Sequence, residues 1–146
     1  MTVKEEYADI FEAEIVASTV IEGLGLAVYS NDLLHVKVPK YYSIDLVVFR
    51  KAQNWLTELD ASKEYHFVFE FASFSEVDPE MRKHRAKKEG TNFSLSDALV
   101  ISNLPQKMLG DFYLKINRPP RPTKIFSNLN KAVDWSLKQK NKLQNP

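Results

Sequence analysis

The sequence predicts a single α/β domain whose mixed sheet opens with an antiparallel hairpin and continues with parallel strands joined by helices. From residue 24 onward, apolar runs of strand length alternate with helical-period segments, a pattern that right-handed crossovers turn into parallel neighbours. Near the start, a short polar turn, Ser30-Asn31-Asp32, separates two strand-like runs, as in a hairpin. The 146 residues suffice for one domain with a sizeable core but not for two ordinary ones.

Residues 1–23 read as an N-terminal extension. Phe11, Ala13, Ile15, Ala17 and Ile21 alternate as in a strand, while Tyr7, Ile10, Phe11 and Ile15 share one side of a helix, so both periods fit. Gly23-Leu24-Gly25 lacks the third glycine of a phosphate loop and precedes a strand, which makes it a turn.

Residues 26–29 and 33–38 are the hairpin strands, with Leu34, Val36 and Val38 facing one way and His35 and Lys37 the other. Ser43 begins a helix with Asp45 in its first turn, and Ile44, Val48, Ala52, Trp55, Leu56 and Leu59 form the stripe expected to be buried. Residues 65–71 form a strand with an aromatic face of Tyr65, Phe67, Phe69 and Phe71.

Asp78-Pro79-Glu80 supplies a cap, an N1 proline and a first-turn acid, and Gly90 a stop. The helix between is dominated by Arg82, Lys83, His84, Arg85, Lys87 and Lys88, with only Met81 and Ala86 apolar. It is expected to be solvated over most of its circumference.

Ala98-Leu99-Val100-Ile101 starts the stretch around which the domain is organised. Asn103 and Pro105 open a helix to about Ile116. Its row of Leu104, Met108, Phe112 and Ile116, widened by Leu109 and Tyr113, is expected to lie on the sheet. Prolines in residues 118–122 force an extended path into a short strand, 123–126. Asn128 caps a closing helix to about Lys140, with Leu129, Ala132, Val133 and Leu137 on one face. The domain proper is expected over 24–140, with 141–146 as a disordered basic tail.

Composition narrows the function. With 44% hydrophobic and 27% charged residues the chain reads as soluble and globular. The start, Met1-Thr2-Val3-Lys4-Glu5-Glu6-Tyr7, is acidic where a signal peptide is basic and then apolar, so the expected location is cytoplasmic. The absence of cysteine excludes thiol catalysis and cysteine-ligated metals. Charge is uneven: residues 1–106 carry 11 Lys/Arg against 17 Asp/Glu, and residues 107–146 carry 9 against 2. A pI near 7.9 and an acidic first two-thirds disfavour nucleic acid as a partner.

Catalytic candidates are sparse. His66 and Glu70 share a strand face but lie about 13 Å apart at the strand rise, too far to work as a pair. His35 has Lys37 beside it, and His84 stands between Glu80 and Lys88 on a charged helix. No His-rich metal spacing, Gly-x-Ser-x-Gly or phosphate loop occurs. The expectation is a protein that is not an enzyme and needs no cofactor or metal.

Residues 25–38, together with Ala98-Leu99-Val100-Ile101-Ser102, Leu109-Gly110-Asp111-Phe112, Pro122-Thr123-Lys124-Ile125-Phe126 and Ala132-Val133-Asp134-Trp135, resemble a small bacterial branch of the STAS-like family, the sulfate-transporter and anti-sigma-factor-antagonist domains. The resemblance covers roughly residues 24–138. It implies a mixed sheet with helices packed mainly on one face, and a partner-binding surface around the loop and helix after the third strand. Family members are regulators switched by phosphorylation of a serine or threonine at the start of that helix. Here Val77 occupies the acceptor position and Pro79 that of the following glycine, so the usual acceptor is missing.

The expected function is a regulatory or protein-interaction domain. The expected docking residues are Ser73, Ser75, Glu76, Asp78, Arg82, Arg85 and Lys88, facing an acidic protein partner. The alternative is a carrier of a small apolar, lipid-like ligand, because STAS-like folds resemble part of the CRAL-TRIO carriers and the chain is rich in aromatics. Exchange of the N-terminal segment with a second copy makes a homodimer conceivable.

Overall fold

A computed structural model describes residues 3–87 and 93–145. The chain begins with α1 (Val3–Phe11) and continues through β1 (Ile15–Ile21), β2 (Leu24–Tyr29), β3 (Leu33–Val38), β4 (Ser43–Ile44), α2 (Leu46–Leu59), β5 (Tyr65–Phe71) and β6 (Glu76–Val77). It then runs through α3 (Pro79–Arg85), β7 (Ser94–Val100), α4 (Leu104–Phe112), a wide π turn (Tyr113–Asn117), β8 (Thr123–Phe126) and α5 (Leu129–Gln144). Both periods read in the first 22 residues are realised, as a helix followed by a strand.

Six strands form one sheet in the order β1-β2-β3-β5-β7-β8. β1, β2 and β3 are antiparallel neighbours, and β3, β5, β7 and β8 run parallel. The β1–β2 hairpin turns on Glu22 and Gly23, both at positive φ (48° and 88°), the backbone of a two-residue turn whose twist matches the strands.

Each parallel step moves the chain the same way across the sheet, so right-handed crossovers stack their helices on one side. There Val48, Phe49, Ala52 and Leu56 of α2 and Met81 of α3 pack on the aromatic face of β5 and the Leu34, Val36 and Val38 face of β3. α5 follows the last strand and covers the opposite side with α1, where Phe11, Ala132 and Val133 meet Tyr29, Leu33, Val68, Ala98 and Val100. Among the described residues, α2, α3 and α4 thus lie on one face and α1 and α5 on the other.

Four local expectations change. Ser43 and Ile44 do not begin the helix but pair in parallel with Glu76 and Val77. Ile44 is drawn into the core there, and Asp45 becomes the cap, its side chain accepting from the Val48 N–H at 2.9 Å. Leu59, at the end of α2, is 44% exposed. α5 continues to Gln144 through residues expected as tail. The row Leu104, Met108, Phe112 and Ile116 points away from the sheet, and no residue of α4 is fully buried. Gly90 and Lys88 lie outside the described residues.

Candidate functional site

Two loops at the carboxyl ends of adjacent parallel strands build the most unusual surface of the molecule. Residues 39–42 follow β3 and residues 72–75 follow β5. They are laced together by Tyr41 N–H donating to the Ser73 carbonyl (3.3 Å) and Glu76 N–H to the Tyr42 carbonyl (2.9 Å). Both loops turn through left-handed backbone at an aromatic residue, Tyr41 at φ 64° and Phe74 at φ 61°. An L-residue with a bulky side chain occupies that region at a cost of about 1–2 kcal/mol.

The cost places the two rings parallel, 5.2 Å apart and 6° from coplanar, although Tyr41 is 72% and Phe74 63% exposed. Lys40 Nζ lies 5.3 Å from the Tyr41 ring and 5.7 Å from the Phe74 ring. The result is a cationic aromatic platform on strained supports, the kind of local strain that clusters at binding sites.

The structure splits the residues expected to dock a partner. Glu76 is exposed, in β6. Ser73 is half-buried. Asp78 caps α3, accepting from the Glu80 N–H at 3.1 Å. Ser75 is buried, its hydroxyl donating to the Ala72 carbonyl at 2.6 Å. Arg82 donates to the Val77 carbonyl. Arg85, expected on the surface, is buried. Lys88 lies outside the described residues. Phe74 and Tyr41, the exposed aromatics of the site, were not among the expected docking residues.

Arg85 is buried because it belongs to a core ion cluster. Its guanidinium bonds Asp97 Oδ2, and Arg121 Nη1 donates to the same oxygen at 2.9 Å. Asp97 Oδ1 accepts from the Ser94 hydroxyl at 2.6 Å. The Arg85 guanidinium also lies within 6 Å of the Phe49, Phe67 and Phe69 ring centres. Burial pulls its pKa down, and Asp97 opposes that pull. Once paired in this way the cluster is structural: breaking it strands a charge in the core.

The histidines separate likewise. His66 is buried with Nδ1 2.7 Å from the Ser96 hydroxyl. His84 presents its ring to Phe49. His35 is buried between the rings of Tyr7 and Phe11, and its Nε2 lies 2.9 Å from Glu70 Oε1. Burial alone would raise the Glu70 pKa, but His35, Lys37 and Tyr7 together hold it below the ordinary value.

Two hollows remain. Between α3 and α4 a cleft of about 90 Å³ is walled by Phe69, Phe71, Val77, Met81, Leu99 and Leu109. That is well below the roughly 300–1,000 Å³ of sites that enclose a drug-sized ligand. A shallower trough of about 680 Å³ at the strand ends opens to solvent and is edged by Lys37, Glu70, Ser102, Asn103 and Lys107. No helix among the described residues is long and apolar enough to cross a membrane.

A family model described as Domain of unknown function (DUF7793) matches residues 27–140. The chain belongs to that family. Its platform loops, strands β3 to β8 and most of α5 all fall within the matched residues. A crystal structure of an uncharacterized protein of the DUF3478 family with a SpoIIAA-like fold, from Shewanella loihica PV-4, is similar to the DUF7793 chain. The TM-score is 0.50 at 14% identity, over 77% of this chain and 90% of that one. At that identity the likeness concerns the fold, which is the STAS-like one that residues 24–138 resemble. No curated protein matches the sequence.

Proposed function

We propose that this chain is a non-enzymatic STAS-like regulatory domain of the cytoplasm that docks an acidic protein partner on the Tyr41–Phe74 platform. The observation that supports this most is the pair of stacked, exposed aromatics held in left-handed backbone. Neither ring is buried, so core packing gives no return for that strain. Aromatic anchors are enriched at the centres of protein interfaces. Lys40 supplies the complement for an acidic partner. Phe74 opens the stretch, residues 74–79, that corresponds to the phospho-acceptor segment of STAS-like regulators, and with Val77 in place of the acceptor, docking here is not switched in the usual way.

Glycine tests the reading, because it accepts φ near 60° without strain. In a Tyr41→Gly/Phe74→Gly variant the thermal midpoint should hold or rise, while capture of the partner by immobilised protein is lost. A Val20→Ser control on the exposed edge of β1, where Val20 is 70% exposed, should keep the partner. Quantitative mass spectrometry of the captured material compares the three. Equal recovery on the double-glycine variant and the wild type would sink the proposal.

A further inference from the structure

We propose that α4 and the π turn after it form a two-fold interface with a second copy of this chain. Leu104 is 68%, Met108 64%, Phe112 53% and Ile116 64% exposed, with Leu109 at 40% beside them. The helix cannot turn this row inward, because its other face is already fastened. Gln106 Nε2 donates to the carbonyls of Ala72 (2.8 Å) and Ser75 (2.9 Å). Gly110 lies against Ile125, and Tyr113 is buried. Among the described residues nothing covers the row.

The geometry points to a second copy as the cover. A row spaced by four residues drifts about 40° per step around a 3.6-residue helix, and the wider π turn at Tyr113–Asn117 swings Ile116 back toward the line of the others. The row also reads alike in both directions, with a branched aliphatic at each end and Met108 and Phe112 between. A two-fold axis near Gly110 sets Leu104 against Ile116 of the second copy and Met108 against Phe112 of the second copy. Rows spaced by four are the ridges that interdigitate in the commonest helix–helix contact.

Charge does not oppose the pairing. None of the row's residues is charged, and Lys107 and Asp111 beside it neutralise each other at 2.9 Å. The chain as a whole carries only +1. Five such side chains, 40% to 68% exposed, form a patch within the roughly 300–600 Å² of the largest patch on a typical monomer, which is often functional. Counted on both copies, the buried area reaches the region of about 1,000 Å² at which specific interfaces begin. Tyr41 and Phe74 lie outside this row, so the pairing stands or falls independently of the partner platform.

The test is the mass of the full chain by sedimentation over a range of concentrations, with circular dichroism confirming the fold of each variant. The wild type should pass from one chain mass to two. Met108→Lys and Phe112→Glu should each remain monomeric alone, and their equimolar mixture should recover the two-chain mass, since the pairing sets position 108 of one copy against position 112 of the other. A wild type that stays monomeric throughout overturns the proposal, and if it then sediments with phosphatidylcholine/phosphatidylglycerol vesicles the row belongs to a bilayer. Two-chain mass in both single variants, or a mixture that stays monomeric, overturns it as well.

Discussion

His66 is 1% exposed. Burial lowers its pKa from the ordinary 6.5, Lys140 lowers it further, and Asp32 opposes them only in part. The unfolded chain therefore takes up a proton near pH 6.5 while the folded chain does not. Stability from this residue is complete above that pH and falls as the pH drops through it toward the folded value. Urea midpoints between pH 7.5 and 5 should decline in the wild type and decline less in His66→Gln, which keeps a polar group for the Ser96 hydroxyl. Parallel slopes in the two proteins would assign the acid sensitivity elsewhere. At this scale the sequence is least legible, because partners are set by register and crossover. His35 and Glu70 are 35 positions apart in the chain, yet the β3–β5 register pairs Lys37 with Glu70 and so brings the carboxylate to the histidine two residues before it. Arg85 sits among cations that read as a solvated helix, and only the fold reveals that Asp97 waits beneath it.

Among the elements, α4 shows where periodicity stops being informative. The spacing of Leu104, Met108, Phe112 and Ile116 identifies a helix and its apolar side, but not which side meets the sheet. That choice was made by Gln106, Gly110 and Tyr113, whose side chains or lack of one seat the helix through hydrogen bonds, close approach and a buried phenol. The caps were legible, since Asn103, Asp78 and Asn128 each accept a backbone N–H of the first turn as their residue type predicts. The seat of α4 makes a prediction of its own. A Cβ on Gly110 would come within 2.6 Å of Ile125 Cδ1 and 3.3 Å of its Cγ1, a clash that offsets the helix-propensity gain of about 1 kcal/mol. Gly110→Ala alone should leave stability unchanged or lower. Adding Ile125→Val, which removes the obstructing methyl, should make the double variant more stable than the sum of the single changes allows. Additive denaturation midpoints would mean that α4 sits farther from β8 than described.

For the molecule as a whole, the question is whether α1 and β1 are an appendage or part of the folding unit. The helix–strand alternation from residue 24 made the parallel run of later strands legible, since right-handed crossovers leave few alternatives, while the strand order is seen only in the fold. The first 23 residues carried no such rule, because two periods overlapped and the pairing of β1 with β2 depends on contacts the pattern does not encode. In the fold, Phe11 is fully buried and its ring stacks on Tyr29 at 4.2 Å, 3° from parallel, while also meeting His35. Asn31 donates to the Phe11 carbonyl at 2.8 Å, so the end of α1 is tied to the β2–β3 turn. α1 also touches α5, which means that the two chain ends close the second face of the sheet together. Phe11→Ala should then cost about 3–5 kcal/mol, as for other large core truncations, and do so with an unchanged denaturant slope in one transition. An appendage would behave differently: the loss would stay within about 0.5 kcal/mol, the range of surface changes, and the slope would fall if α1 no longer unfolded with the rest. Because the ring stacks directly on a residue of β2, damage at position 11 reaches the hairpin, and the single transition is the outcome the packing requires.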